Sequence, residues 1–173
     1  RLGNLDNFSV LIPNIKGLDK AKDNGVKEIC TVLCVTDSMN KKNINQTVQE
    51  TLNDLKEIFK EGLRNGIRTK CYVSVAYHCP YEGKVDAAYV NDVIGQLIDY
   101  QVEEIVIADT IGAANPKEVT SLLSSLKTQY KDTSFSCHFH DTRALGLANV
   151  YASLVAGINL SLIHISEPTR RPK

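Results

Sequence analysis

Five times between Phe8 and Gly157, an apolar run of strand length gives way to a stretch with helical periodicity. The runs are residues 8–13, 28–36, 70–77, 104–108 and 134–140. The second, EICTVLCVT, is apolar almost throughout instead of alternating. Such runs suit strands of a parallel sheet, where both faces are covered. The helical stretches carry their own punctuation. Residues 16–24 stop at Gly25, and Thr47 with Glu50 forms a capping-box pair ahead of Val48, Leu52, Leu55, Phe59 and Leu63. Asp86 precedes Val90, Val93, Ile94, Leu97 and Ile98. Asn115-Pro116-Lys117-Glu118 combines an N-cap, a proline at the first helical position and a glutamate three residues after the cap. Residues 144–156 make the last helix, stopped by Gly157.

Five βα units in series, with no hairpin signal, require right-handed crossovers. Two architectures satisfy this: a doubly wound open sheet and part of a (β/α)8 barrel. No Gly-x-Gly-x-x-Gly follows the first strand and no Walker loop is present, so a nucleotide-binding open sheet lacks its usual support. A flavodoxin-like binding module without catalysis is the reading that keeps the open sheet.

The 173 residues suffice for one domain with a core. Twenty basic and twenty acidic residues cancel and form no basic stripe, which argues against a nucleic-acid partner. No apolar run approaches the roughly 20 residues of a membrane span. Five cysteines, an odd number, fit a reducing compartment. Cys30 and Cys34 lie on one strand about 13 Å apart, too far to share a metal ion.

Four segments after strands carry chemistry. In Cys137-His138-Phe139-His140-Asp141-Thr142 the histidines are two apart on a strand. Their side chains therefore share a face, with Cα atoms about 6.6 Å apart, and can reach one metal ion. The competing reading is a pair of core or surface histidines, although inward imidazoles need polar partners. Asp109-Thr110-Ile111-Gly112 puts a carboxylate at a strand end, to assist catalysis or, as a lone Asp more often does, to cap a turn. His78-Cys79-Pro80-Tyr81-Glu82-Gly83 reads as a shaped loop, with Cys79 structural because no base is assigned to it. Asn40-Lys41-Lys42-Asn43-Ile44-Asn45 reads as a loop whose lysines either meet phosphates or stay solvated.

The same segments, in this order, resemble the hydroxymethylglutaryl-CoA lyase family. The matching pieces are FSVLIPN from Phe8, KKNIN from Lys41, CPYEG from Cys79, DTIG from Asp109 and HFHDT from His138. The resemblance covers residues 8–157. It implies strands three to seven of a (β/α)8 barrel and a divalent cation, Mg2+ or Mn2+, with His138 and His140 among its ligands. It implies cleavage of 3-hydroxy-3-methylglutaryl-CoA to acetyl-CoA and acetoacetate, with His138 and Asp109 catalytic. Thr110, Asn14, Lys41 and Lys42 are then the candidates for binding an acyl-CoA substrate. A homodimer and a cytoplasmic (bacterial) or mitochondrial-matrix (eukaryotic) location, not a secreted one, go with it. The Asp-Thr and His-x-His motifs are common to the wider superfamily, including isopropylmalate and homocitrate synthases. Val106-Ile107-Ala108 before Asp109 is nearer the synthase form, so an acyl-CoA aldolase or Claisen synthase is the alternative.

The first-strand Arg-Asp pair and the eighth-strand ligand loop of that family are absent, which implies that the chain by itself is inactive. The stretch LSLIHISEPTR from Leu160 looks like a translated sequencing adapter. Residues 160–165 could pass for a further strand, but nothing helical follows. The domain reading is therefore a barrel fragment over residues 1–159 and a non-native tail over 160–173.

Overall fold

A computed structural model describes residues 8–159, and residues 161–164 by their backbone. In chain order its elements are β1 (Ser9–Leu11), α1 (Ile15–Asp23), β2 (Glu28–Cys34), α2 (Asp37–Ile44), α3 (Val48–Arg64), β3 (Arg68–Ser74), β4 (His78–Cys79) and β5 (Gly83–Lys84). They continue as α4 (Ala87–Asp99), β6 (Glu104–Asp109), α5 (Pro116–Gln129), β7 (Ser134–His140), α6 (Gly146–Val155) and β8 (Ser161–His164).

The main sheet runs β1-β2-β3-β6-β7-β8, every pair parallel. Strand order equals chain order. A doubly wound sheet needs a point where the order reverses, and none exists among the described strands. Crossovers of one hand and one direction put all helices on the same face. This is the wall of a partial (β/α)8 barrel, and it removes the open-sheet alternative.

Register assigns each side chain to a face. Ile29 and Leu33 of β2, Cys71 and Val73 of β3, Ile105 and Ile107 of β6, and Phe135, Cys137 and Phe139 of β7 point toward the helices. They are buried against Leu18, Leu52, Phe59, Ile94, Leu97, Val119 and Leu123. Each such aliphatic or aromatic side chain contributes about 1.5–3 kcal/mol on burial.

The other face, the barrel interior, sets polar and charged side chains among Cys30, Val32, Cys34, Val106 and Ala108. Lys70 Nζ stands 3.5 Å from Glu28 Oε1 and 3.0 Å from Glu104 Oε2. Ser136 donates to Glu104 over 2.5 Å. The ladder Glu28–Lys70–Glu104–Ser136 thus crosses four strands near their N-terminal ends.

The helix starts read from sequence are present. Asn14 accepts from the Gly17 N–H, Thr47 and Glu50 form a capping box, Asp86 accepts from Ala88, and Asn115 and Glu118 form a second box behind Pro116. Three expectations need correction. Residues 40–45, read as a loop, mostly belong to α2. That helix is short and lacks an apolar stripe, so the sequence carries no periodic signal for it. It is held by Asn40, whose amide donates to Gln46 O, Thr47 O and Thr51 Oγ1 and whose oxygen accepts from Cys34 N. The CPYEG segment, read without a hairpin, forms the antiparallel β4–β5 ribbon. Leu63 is 52% exposed, because Ile58 and Gly62 take the inward positions of the last turns of α3. Apart from these, Ser161–His164 pairs in parallel beside β7, in the place where the βα alternation puts the next strand. Residues 165–173 of the tail lie outside the described residues.

Candidate active site

Because all six strands are parallel, every segment following a strand emerges at one edge of the sheet. Asn14 follows β1, Lys41 and Lys42 follow β2, the ribbon follows β3, Asp109 and Thr110 close β6, and His140 closes β7. This is the edge where barrel enzymes build their sites.

At this edge the β7 histidines share the interior face, as their spacing predicts. Their ring centroids are 5.1 Å apart, and His138 meets the ring of Tyr72 edge-on at 6.1 Å. An imidazole bound to a cation places its centroid about 3.2 Å from the ion, so two ligands at 90–110° put their centroids about 4.5–5.3 Å apart. The observed spacing fits one shared ion. Among the described residues no group of three His, Cys, Asp or Glu side chains forms a fuller cage. Taken as ligands, the two rings would supply two donors of a set and not all of it.

Asp109 is fully buried. Its register partner is Phe139, which faces the helices, and not His138 or His140. Its carboxylate accepts from Ala113 N at 3.0 Å and from Ala114 N at 3.1 Å. Burial pushes its pKa up, against the opposing pull of those amides and of His78 and His140. The structure gives it the turn-capping part. It holds the loop 109–114 from the helix-facing side, with His140 near enough for its charge to act on the carboxylate.

Thr110 accepts a hydrogen bond from Val75 N at 2.8 Å. Val75 is a β-branched residue with φ 53, a conformation such side chains strongly disfavour. The hydroxyl of Thr110 therefore braces a strained strand end. Asn14 serves as the cap of α1. Lys41 and Lys42 are exposed on α2, with Lys41 3.7 Å from Asp37.

Sequence reasoning missed how the motifs dock on one another. Cys79 Sγ takes a hydrogen bond from Thr36 Oγ1 at 3.1 Å, and Glu82 accepts from the amide and hydroxyl of Ser38. The CPYEG ribbon is thereby clasped to the start of α2, the helix bearing the two lysines. Burial pushes the Cys79 thiol up, but donors from Thr36, the Tyr81 and Glu82 amides and Ser38 outweigh it and hold it below the usual value. Cys79 is buried and free, as are the other four cysteines. His78 contacts Glu118 at 3.1 Å and Lys84 contacts it at 3.0 Å, tying the ribbon to α5. No regular spacing links these residues, so only coordinates could find them.

A family model described as HMGL-like matches residues 3–162. A hydroxymethylglutaryl-CoA lyase of Bacillus subtilis is 34% identical over 153 residues, 88% of this chain and 51% of that protein. The mitochondrial hydroxymethylglutaryl-CoA lyase of Bos taurus is 36% identical over 154 residues, 89% of this chain and 47% of its own length. A solved B. subtilis HMG-CoA lyase superposes with TM-score 0.85 at 34% identity, over 88% of this chain and 51% of that one. An A. baumannii HMG-CoA lyase, solved with coenzyme A and 3-methylmalate, gives TM-score 0.83 at 29% identity, over 90% of this chain and 50% of that one. The chain spans about half the length of the curated relatives it matches.

Proposed function

This chain belongs to the HMGL-like family, and from that premise we propose that the whole protein is a hydroxymethylglutaryl-CoA lyase. It cleaves 3-hydroxy-3-methylglutaryl-CoA to acetyl-CoA and acetoacetate. The observation that carries the reading is the His138–His140 pair, side by side on one strand at the edge where the family motifs converge. Relatives with lyase names over almost the whole described chain support it.

In the proposed site His138 and His140 would hold Mg2+ or Mn2+. When bound, such a cation polarises the substrate's hydroxyl and carboxyl-side oxygens. A base takes the hydroxyl proton, the carbon–carbon bond breaks as the ketone forms, and an acid delivers a proton to the carbon of the released acetyl-CoA enolate. His138, deeper along the strand and packed on Tyr72, is assigned to the reacting atoms, where it moves a proton. Lys41 and Lys42 meet the phosphates of the acyl-CoA. Asn14 lies at the same rim. Thr110 offers its hydroxyl hydrogen to a substrate oxygen while its oxygen braces Val75. The remaining ligands come from residues beyond the described ones.

Assaying acetoacetate release by the whole protein tests this. His138→Ala should cut turnover by roughly 10²–10⁴-fold, whereas Cys79→Ala, a buried thiol beside α2, should do far less. Equal losses would undo the assignment. The 173-residue chain alone should show no turnover. One observation favours a second reading, a Claisen synthase: Ala108 directly precedes Asp109, as in the synthases. Condensation of acetyl-CoA with a 2-oxo acid, without acetoacetate release, would select it.

A further inference from the structure

The DTIG and HFHDT motifs sit on neighbouring strands, and their loops are in direct contact. Gly112 has φ +61, and a Cβ there would lie 2.1 Å from Thr142 Oγ1, 2.6 Å from the His140 carbonyl oxygen and 3.0 Å from Thr142 N. Backbone thus lies against backbone, a closeness that glycine alone permits. Thr142 Oγ1 donates to Ile111 O at 2.6 Å. Arg143 Nη1 donates to Ile111 O at 2.8 Å and to Gly112 O at 3.2 Å. The loop is fixed from its other sides as well. Asp109 accepts from Ala113 N and Ala114 N, and the buried Asn149 of α6 donates to Ala114 O at 2.9 Å. A loop pinned at both ends therefore presses on the peptide that carries His140.

We infer that Gly112 and Thr142 are positioning residues for His140: the docked loop sets where β7 ends and so where the His140 imidazole is aimed. Neither residue touches the reacting atoms. The arrangement explains why a glycine three residues after one strand should accompany a threonine two residues after a histidine on the next. The inference rests on the proposed metal site, because aim matters only if the two rings must meet one ion. Relieving a Cβ at 2.6 Å from the His140 carbonyl oxygen and 2.1 Å from Thr142 Oγ1 displaces that peptide by roughly half an ångström or more, which would disturb a two-ring grip. Ligand geometry of this kind tolerates little error.

The test uses the whole protein with two readouts: direct titration with Mn2+ alone, and the imidazole Cε1–Hε1 resonances of His138 and His140 in the metal-free protein. Gly112→Ala should weaken Mn2+ binding at least about tenfold, within the 10–100-fold range found when supports around metal ligands are lost. It should also shift the His140 resonance more than that of His138. Should that variant fail to fold, Thr142→Val decides, since its side chain is exposed. It should weaken binding several-fold and move the His140 resonance, while Thr142→Ser, which keeps the hydroxyl, restores both. Unchanged binding and resonances in Gly112→Ala or Thr142→Val overturn the inference. A wild-type protein that binds no Mn2+ overturns the metal reading instead; the metal-free His140 resonance still decides whether the loop sets the ring.

Discussion

Replacing Lys70 with methionine should destabilise the protein by about 2–3 kcal/mol at pH 7.5, and the loss should shrink in acid. Lys70 bridges Glu28 and Glu104 inside the barrel, with side chains only 16%, 15% and 21% exposed. Its two legs, 3.5 and 3.0 Å, hold the carboxylates no farther than roughly 6.5 Å apart. Without the ammonium, two like charges at that separation repel by about 2.5 kcal/mol at an effective dielectric of 20. Methionine fills a similar volume, so packing loss adds little. The pH sign follows from the carboxylates. In the wild type, burial pushes Glu28 up, but Ser9, Lys70 and Arg68 outweigh it and hold it below its ordinary value. That stabilisation is present above the unfolded carboxylate range and is lost as pH falls through the folded pKa. In Lys70→Met the bridging cation is gone while Arg68 stays 3.1 Å from Glu28, so stability recovers as protonation removes the remaining repulsion between the two carboxylates. Denaturant midpoints at pH 7.5 and 4.5 measure both. A loss below about 0.5 kcal/mol at pH 7.5, or a loss that grows in acid, would refute the reasoning.

Asn40→Ala should cost about 2–4 kcal/mol by denaturant unfolding, since it leaves the buried Cys34 amide without its acceptor and removes the donor to Gln46 O, Thr47 O and Thr51 Oγ1. Thr110→Val keeps the shape but removes the acceptor for the strained Val75 N–H; unfolding should become easier by about 1–3 kcal/mol, and Thr110→Ser should recover most of it. For Glu118, burial pushes the pKa up, but Lys84, His78 and the Asn115 amide hold it below the ordinary carboxylate value. Its contribution is therefore complete above the unfolded carboxylate pKa and fades as pH falls through the folded one. Glu118→Gln should lower the thermal midpoint at pH 7 and flatten the acid limb of the stability curve.

The fold was legible wherever one local rule dominated. Apolar runs marked the main strands because both faces of a parallel sheet are covered. Caps at Thr47, Asp86 and Asn115 marked helix starts because each satisfies its own orphan amides within three residues. The His138–His140 spacing predicted a shared face because strand periodicity is rigid. What escaped was held by long-range bonds. Helix α2 depends on Asn40 reaching Cys34, Thr47 and Thr51, and the β4–β5 ribbon depends on Thr36, Ser38 and Glu118. Asp109 shows the limit at the site itself. Its place at a strand end was readable, but which way its carboxylate turned was decided by the amides of Ala113 and Ala114. The interior ladder of Glu28, Lys70, Glu104 and Ser136 was also invisible, since its members come from four separate strands.

The most direct test of the shared cation is electron spin-echo spectroscopy of the whole protein loaded with Mn2+. Two imidazole nitrogens should modulate the echo, and His138→Ala and His140→Ala should each remove one. An active protein whose bound Mn2+ shows no imidazole coupling would contradict the account at its centre.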